Sequence, residues 1–154
     1  TRLLVESKRK AESSMSEEKL WNNARRWFNQ AASDLEAADV LLTGEKYAQA
    51  AFWSQQAAEK AMKAVWIVLD RDPWGHSVAR LIRDLSSEEV GLLSQHEKAA
   101  LSLDKLYIPT RYPDALVELT PSEAYTEEEA REARESASEL IDAVGVWLDE
   151  RSEP

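Results

Sequence analysis

Residues 47–69 read YAQAAFWSQQAAEKAMKAVWIVL. Tyr47, Ala50, Ala51, Ser54, Ala58, Ala61, Val65 and Leu69 fall on one stripe at helical spacing. Phe52, Met62 and Trp66 widen the apolar arc beyond that stripe. A helix apolar around so much of its girth belongs at the centre of a bundle, touching neighbours on two sides. The small residues on the stripe let another backbone come close. The spacing predicts this helix over about 45–70.

Upstream, Leu20, Ala24, Trp27, Ala31, Leu35, Ala38 and Leu42 recur at steps of three and four. Ser16 followed by Glu17 and Glu18 gives a hydroxyl cap and then acids in the positive first turn. Thr43-Gly44 ends the stripe, with Gly44 expected in the left-handed position after the helix. The first helix is therefore expected over about 17–43. So short a connection to the next forces an antiparallel hairpin.

Downstream, Asp72-Pro73-Trp74-Gly75 is a break. A short helix over roughly 77–85 carries Val78, Leu81, Ile82 and Leu85. Ser86 with Glu89 is a capping box opening a helix of about 87–105. Tyr107 to Asp114 holds two prolines and reads as extended or turn-like. Thr126 with Glu129 is a second capping box, opening the last helix, about 127–150, with stripe Ala130, Ala133, Ala137, Leu140, Ile141, Val144 and Leu148. Residues 1–15 read as a flexible lead-in with one apolar cluster, Leu3-Leu4-Val5. Residues 16–150 form the helical bundle, and 151–154 a polar tail. The chain begins at Thr1, as a piece of a larger protein would.

Composition agrees with an all-α fold. Only 4 Gly and 5 Pro occur among 154 residues, and good helix formers dominate. A chain of this length buries about two-thirds of its unfolded surface, enough for one core. The net charge of −10 repels long nucleic acid and anionic membranes, so a contact with either needs a local basic patch. No run of 18 apolar residues is present, so no membrane partner is expected. With no Cys and 2 His, disulfides and thiolate metal sites are excluded, and no metal is expected. A reducing compartment fits, and the expected localisation is cytoplasmic.

Four segments in order carry a resemblance: Gln55-Gln56-Ala57-Ala58-Glu59-Lys60-Ala61-Met62-Lys63-Ala64, Gly75-His76-Ser77-Val78, Tyr107-Ile108-Pro109-Thr110-Arg111-Tyr112-Pro113-Asp114, and Ala124-Tyr125-Thr126. Together they resemble the HEPN (higher eukaryotes and prokaryotes nucleotide-binding) domain family, over about Trp21 to Leu148. The run Ala24-Arg25-Arg26-Trp27-Phe28-Asn29-Gln30-Ala31 is further similar to the version at the carboxyl end of sacsin, a large chaperone-like protein. The resemblance implies an up-and-down bundle of about five helices and a homodimer. It implies either a binding module with a weak GTP or ATP site, part of a larger chaperone-like protein, or a metal-independent ribonuclease of the toxin class. A bacterial accessory subunit paired with a nucleotidyltransferase is a further alternative.

Family ribonucleases use an Arg followed four to six residues later by a His. Imidazole shuttles the ribose hydroxyl proton while guanidinium grips phosphate. No His follows Arg111; Asp114 and Glu118 come instead. Arg71 and His76 satisfy the spacing, but Pro73, Trp74 and Gly75 lie between them. The blander reading makes Arg71 a cation at a helix C-terminus and His76 a loop residue. The expectation is therefore binding rather than catalysis. Lys60, Lys63, His76 and Arg111 are the candidate nucleotide-binding residues. Arg111, Tyr112 and Asp114 are the candidate structural loop, with Arg111 and Asp114 expected to pair or to cap neighbouring helices. His96, amid Gln95, Glu97 and Lys98, reads as solvated. Glu127-Glu128-Glu129 reads as first-turn acids. Of 6 Trp, Trp27, Trp53 and Trp66 read as core. Trp21, Trp74 and Trp147 read as less enclosed, in modest support of self-association.

Overall fold

The computed structural model describes residues 1–151, with side chains described outside 13–15. Residues 152–154, most of the expected polar tail, lie outside the described residues. The fold is all-α, with no strand among the described residues. Its helices are α1 (Arg2–Thr43), α2 (Tyr47–Val68), α3 (Val78–Arg83), α4 (Ser87–Val90), α5 (Glu97–Asp104), α6 (Pro121–Ala124) and α7 (Glu127–Glu150). Two 3-10 turns, Gly91–His96 and Pro113–Ala115, complete the order.

The hairpin of α1 and α2 forms as the stripes predict. Ala24, Ala31, Ala38 and Leu42 of α1 are buried, and α2 is buried on nearly every side, Ala48, Ala57 and Ala64 included. α2 lies between α1 and α7. Alanine on both faces brings the neighbouring backbones close, which exchanges side-chain volume for dense backbone packing. Every apolar stripe residue predicted on α7 is buried. α7 is held along α1 at one end by the Arg134 guanidinium on Asp39, at 2.7 and 3.2 Å. At the other end Gly145 lies against Phe28, where a Cβ would sit 3.4 Å from the ring.

Several expectations are corrected. α1 begins at Arg2 rather than near 17. Its first 18 residues have the composition of a helix but no apolar stripe, so periodicity does not reveal them. The predicted helix over 87–105 is three pieces, because Gly91 adopts φ 50° and ψ −136° and interrupts it. α6 was not expected. The left-handed residue after α1 is Glu45 (φ 59°), while Gly44 has φ −83°. The turn is a Schellman motif, with Glu45 N–H on Leu42 O and Lys46 N–H on Leu41 O at 3.0 and 2.8 Å. It places the positive φ one residue later than the glycine. α2 ends the same way, with Asp70 at φ 56°.

The Ser86–Glu89 capping box forms in full. Thr126 caps α7 through Glu129 N–H, but its hydroxyl donates to the Glu129 carboxylate, so the reciprocal half of that box is absent. Trp147, expected to be less enclosed, is 4% exposed and donates its indole N–H to the Glu89 carbonyl at 2.8 Å. Trp74 is 86% exposed, while Trp21 packs partly against the core. No described helix is long and apolar enough to cross a membrane.

Candidate functional site

A polar column runs along one side of α2. Gln55, Glu59 and Lys63 stand one turn apart, so they stack on one face. Gln55 is fully buried and Glu59 is 4% exposed. Two loops close over this column. The loop after α2 brings His76, and the loop after α5 brings Tyr107 and Arg111.

Asp104, the last residue of α5, fixes the two loops against each other. Its carboxylate accepts from Ser77 Oγ at 2.6 Å, Val78 N–H at 2.7 Å and Ala79 N–H at 3.1 Å. The two amides are first-turn donors of α3, which have no partner within the helix. The residue just before that turn, His76, is thereby set beside the residue three after Asp104, Tyr107. The two rings stack, with centroids 4.8 Å apart and planes 17° from parallel.

His76 Nδ1 lies 3.2 Å from Glu59 Oε1. In the neutral ring a carboxylate acceptor there favours the tautomer with its proton on Nδ1, and Nε2 is turned away from Glu59. Gln55 donates to the His76 carbonyl at 3.1 Å, which fixes the backbone as well. The other Glu59 oxygen meets Lys63 Nζ at 3.6 Å. The imidazole remains mostly exposed, so it is oriented from behind and open in front.

Arg111 sits on the other side of the same arrangement. Its guanidinium carbon lies 4.5, 4.6 and 5.0 Å from the ring centroids of Tyr107, Phe52 and Tyr112. Nε donates to the Tyr107 carbonyl at 2.9 Å. That bond leaves the two Nη groups as the fork that suits a phosphate or carboxylate. Arg111 also lines a cavity of about 310 Å³ with Gln49, Phe52, Thr110, Pro113 and Ser122.

The candidates from sequence therefore separate into groups. His76, Lys63 and Arg111 share one site, joined through Glu59 and Tyr107. Lys60 leaves it: its Nζ is 2.5 Å from Asp34 and lies over the Trp53 ring. Arg71 also leaves it, bonding Glu89 and stacking on Trp66. Arg71 and His76, which satisfy the family spacing, thus serve different partners. The expected Arg111–Asp114 pairing gives way to the Tyr107 carbonyl and three rings. Tyr112 contributes one of those rings, and Asp114 is an exposed first-turn acid of the Pro113–Ala115 turn. His96 is half-buried at the end of the other 3-10 turn. Among the described residues, no three His, Cys, Asp or Glu side chains gather so as to hold a metal ion. Sequence reasoning missed Glu59, Asp104 and Tyr107 as working parts. The one available signal was Glu59, the single carboxylate of α2.

Glu89 forms a second node. Its carboxyl is held well below the usual range, at about 2, by the Arg71 guanidinium first and then by Ser86. Its carbonyl accepts from Trp147 and, at 2.9 Å, from Arg151. Arg151 lies on Trp147, 3.6 Å from the ring centroid, and its burial lowers its pKa.

Proteins of known family and structure share this fold. The family model of the HEPN domain matches residues 24–147. A candidate toxin of Methanocaldococcus jannaschii is 32% identical over 136 residues, covering 83% of this chain and 90% of that protein. A Thermus thermophilus protein of known crystal structure is 40% identical with a TM-score of 0.78, covering 82% of this chain and 99% of its own. An archaeal HEPN homologue is 35% identical with a TM-score of 0.65, covering 81% and 98%. A HEPN domain protein of Thermotoga maritima is 32% identical with a TM-score of 0.57, covering 80% and 98%. These comparisons give no support to the closeness to sacsin expected from Ala24 to Ala31.

Proposed function

This chain belongs to the HEPN domain family, and we propose that it is a dimerising binding module that holds the phosphate group of a nucleotide at His76, Tyr107 and Arg111. The observation that carries this reading is the Tyr107 ring, which supports the imidazole at 4.8 Å and the guanidinium at 4.5 Å. Stacking costs each donor group some of its freedom before ligand arrives, so less is lost on binding. The Arg111 fork supplies two parallel donors to phosphate oxygens. Trp74, two residues before His76 and 86% exposed, offers a face on which a base can stack. Lys63 adds positive charge behind the imidazole.

Calorimetry with GTP and with ATP tests this directly. The expected result is a heat of binding that weakens at least tenfold in Arg111→Ala. No heat with either nucleotide at millimolar concentration would reject the reading.

A second reading is favoured by the Glu59–His76 hydrogen bond and by the toxin name of the M. jannaschii relative. A buried carboxylate behind an open imidazole is the arrangement of an oriented general base. In this reading Nε2 takes the proton of a ribose 2′-hydroxyl, whose oxygen bonds the adjacent phosphorus as the P–O5′ bond breaks. The imidazolium returns the proton to the leaving 5′-oxygen, a 2′,3′-cyclic phosphate remains, and Arg111 stabilises the charge that develops on the phosphate. End-labelled RNA incubated with the protein in EDTA tests it. Cleavage that disappears in His76→Ala supports a ribonuclease, and intact RNA with the wild-type chain rejects it.

A further inference from the structure

The family match begins at Ala24, and the solved relatives are covered almost end to end by about four-fifths of this chain. The amino-terminal stretch of α1 is therefore an addition to the family frame. Among the described residues, Trp21 is the first of α1 that packs against the core. The 18 residues from Arg2 to Lys19 extend about 27 Å at helical rise. Leu3, Leu4 and Val5 near its tip are 82%, 67% and 50% exposed. Between Arg2 and Glu12, the cations Arg2, Lys8, Arg9 and Lys10 oppose only Glu6 and Glu12, in a chain whose net charge is −10. The arm is the opposite in sign to the body that carries it.

The body has a groove of matching character. A cleft of about 330 Å³ between α5 and α7 has Leu103 and Leu106 on its floor and Glu132, Glu135 and Glu139 on its rim. An apolar floor inside an acidic rim suits a helix with an apolar tip flanked by cations.

The arm cannot reach its own groove. Trp21 and Phe28 share a cavity with Leu148 and Asp149, while Asp39 meets Arg134. α1 thus runs antiparallel to α7, and the arm leaves past the carboxyl end of α7. The groove lies along the amino-terminal half of α7, toward the opposite end. We propose that the Arg2–Glu12 arm of one copy docks in the α5–α7 groove of a second copy, Leu3 and Leu4 on the floor and the cations against the glutamate rim.

The absence of Cys makes a clean cross-linking experiment available on the full chain. Leu4→Cys and Glu135→Cys are purified separately, mixed at tens of micromolar and oxidised mildly. Both positions are exposed, so neither change threatens the fold. The expected result is a mixed disulfide in several-fold excess over the two homodisulfides. It should fall several-fold in about 0.5 M NaCl, because exposed charges are screened beyond a few ångströms there. It should fall likewise when Glu132→Lys and Glu139→Lys are added to the groove chain. Statistical partition of the three disulfides would overturn the proposal, as would a mixed link indifferent to the charge reversals. Predominance of Leu4→Cys homodisulfides would set arm against arm and overturn it equally. So would an oligonucleotide mobility shift dependent on Lys8, Arg9 and Lys10 with no mixed link, since it would give the arm to nucleic acid.

Discussion

The imidazole of His76 lies flat on the phenol ring of Tyr107, the planes 17° from parallel, although 30 residues of chain separate them. Arg111 uses the same ring, so Tyr107 is the common support of the imidazole and the guanidinium. Tyr107→Ala should weaken nucleotide binding about five- to tenfold, the loss of roughly 1 kcal/mol of stacking and cation–π support. Tyr107→Phe keeps the ring and should bind within about twofold of wild type. Calorimetry on the two variants separates support by the ring from any contribution of the hydroxyl.

Glu59 holds His76 and Lys63 from a buried position. Glu59→Ala strands the mostly buried Lys63 ammonium and should cost about 3 kcal/mol, read as a lower urea midpoint with unchanged slope. Glu59→Gln keeps the shape and an acceptor and should cost less than half of that. It also frees the tautomer of His76, so under the ribonuclease reading RNA cleavage should fall even where stability is kept.

Glu89 sets an acid dependence. Its carboxyl titrates near 2 in the folded chain, against about 4.5 unperturbed. A depressed folded pKa means that the contribution is complete above pH 4.5 and disappears as pH falls toward 2. Thermal melts should therefore show wild type above Glu89→Gln at pH 7, with the gap closing between pH 4.5 and pH 2. High salt should narrow the gap at pH 7, because Arg71 is partly exposed and exposed ion pairs are screened. A gap that stays constant across that range would contradict the assignment.

The turn between α1 and α2 offers a test in the opposite direction from the one its glycine invites. Glu45 carries the positive φ of 59°, and Gly44 does not. Glu45→Gly should raise stability by about 0.5–1 kcal/mol by relieving left-handed strain. Gly44→Ala should be neutral or slightly stabilising, since its new Cβ would meet nothing nearer than 3.5 Å and the unfolded chain loses freedom. Melting temperatures of the two variants decide the matter.

How much of this was legible in the sequence follows from what periodicity measures. It measures burial of one face. The α7 stripe from Ala130 to Leu148 is legible because all of it is buried. The arm from Arg2 escapes notice as helix because its residues from Arg2 to Glu12 are all exposed. The break at Gly91 is hidden because the stripe resumes beyond it, and a single glycine does not announce its φ. The site is legible only in pieces. His76 and Arg111 both stand out, but each can be weighed only against its own sequence neighbours. What unites them is Asp104 bonding the first turn of α3, a contact across 26 residues that no local spacing encodes. Trp147 is misplaced for a similar reason: its partner is the carbonyl of Glu89, far along the chain.

The alanine faces of α2 also constrain how chains of this design can diverge. Where Ala50, Ala57, Ala58, Ala61 and Ala64 meet neighbouring backbones with no exposed surface, any larger side chain must push a whole helix aside. The distance between α1 and α7 is thus frozen, and with it the frame around the Gln55, Glu59 and Lys63 face of α2. New ligand preferences should arise in the loops around His76 and Arg111, where residues can be exchanged without a volume penalty. A set of loop swaps between this chain and its relatives would move specificity while leaving the melting temperature nearly where it was.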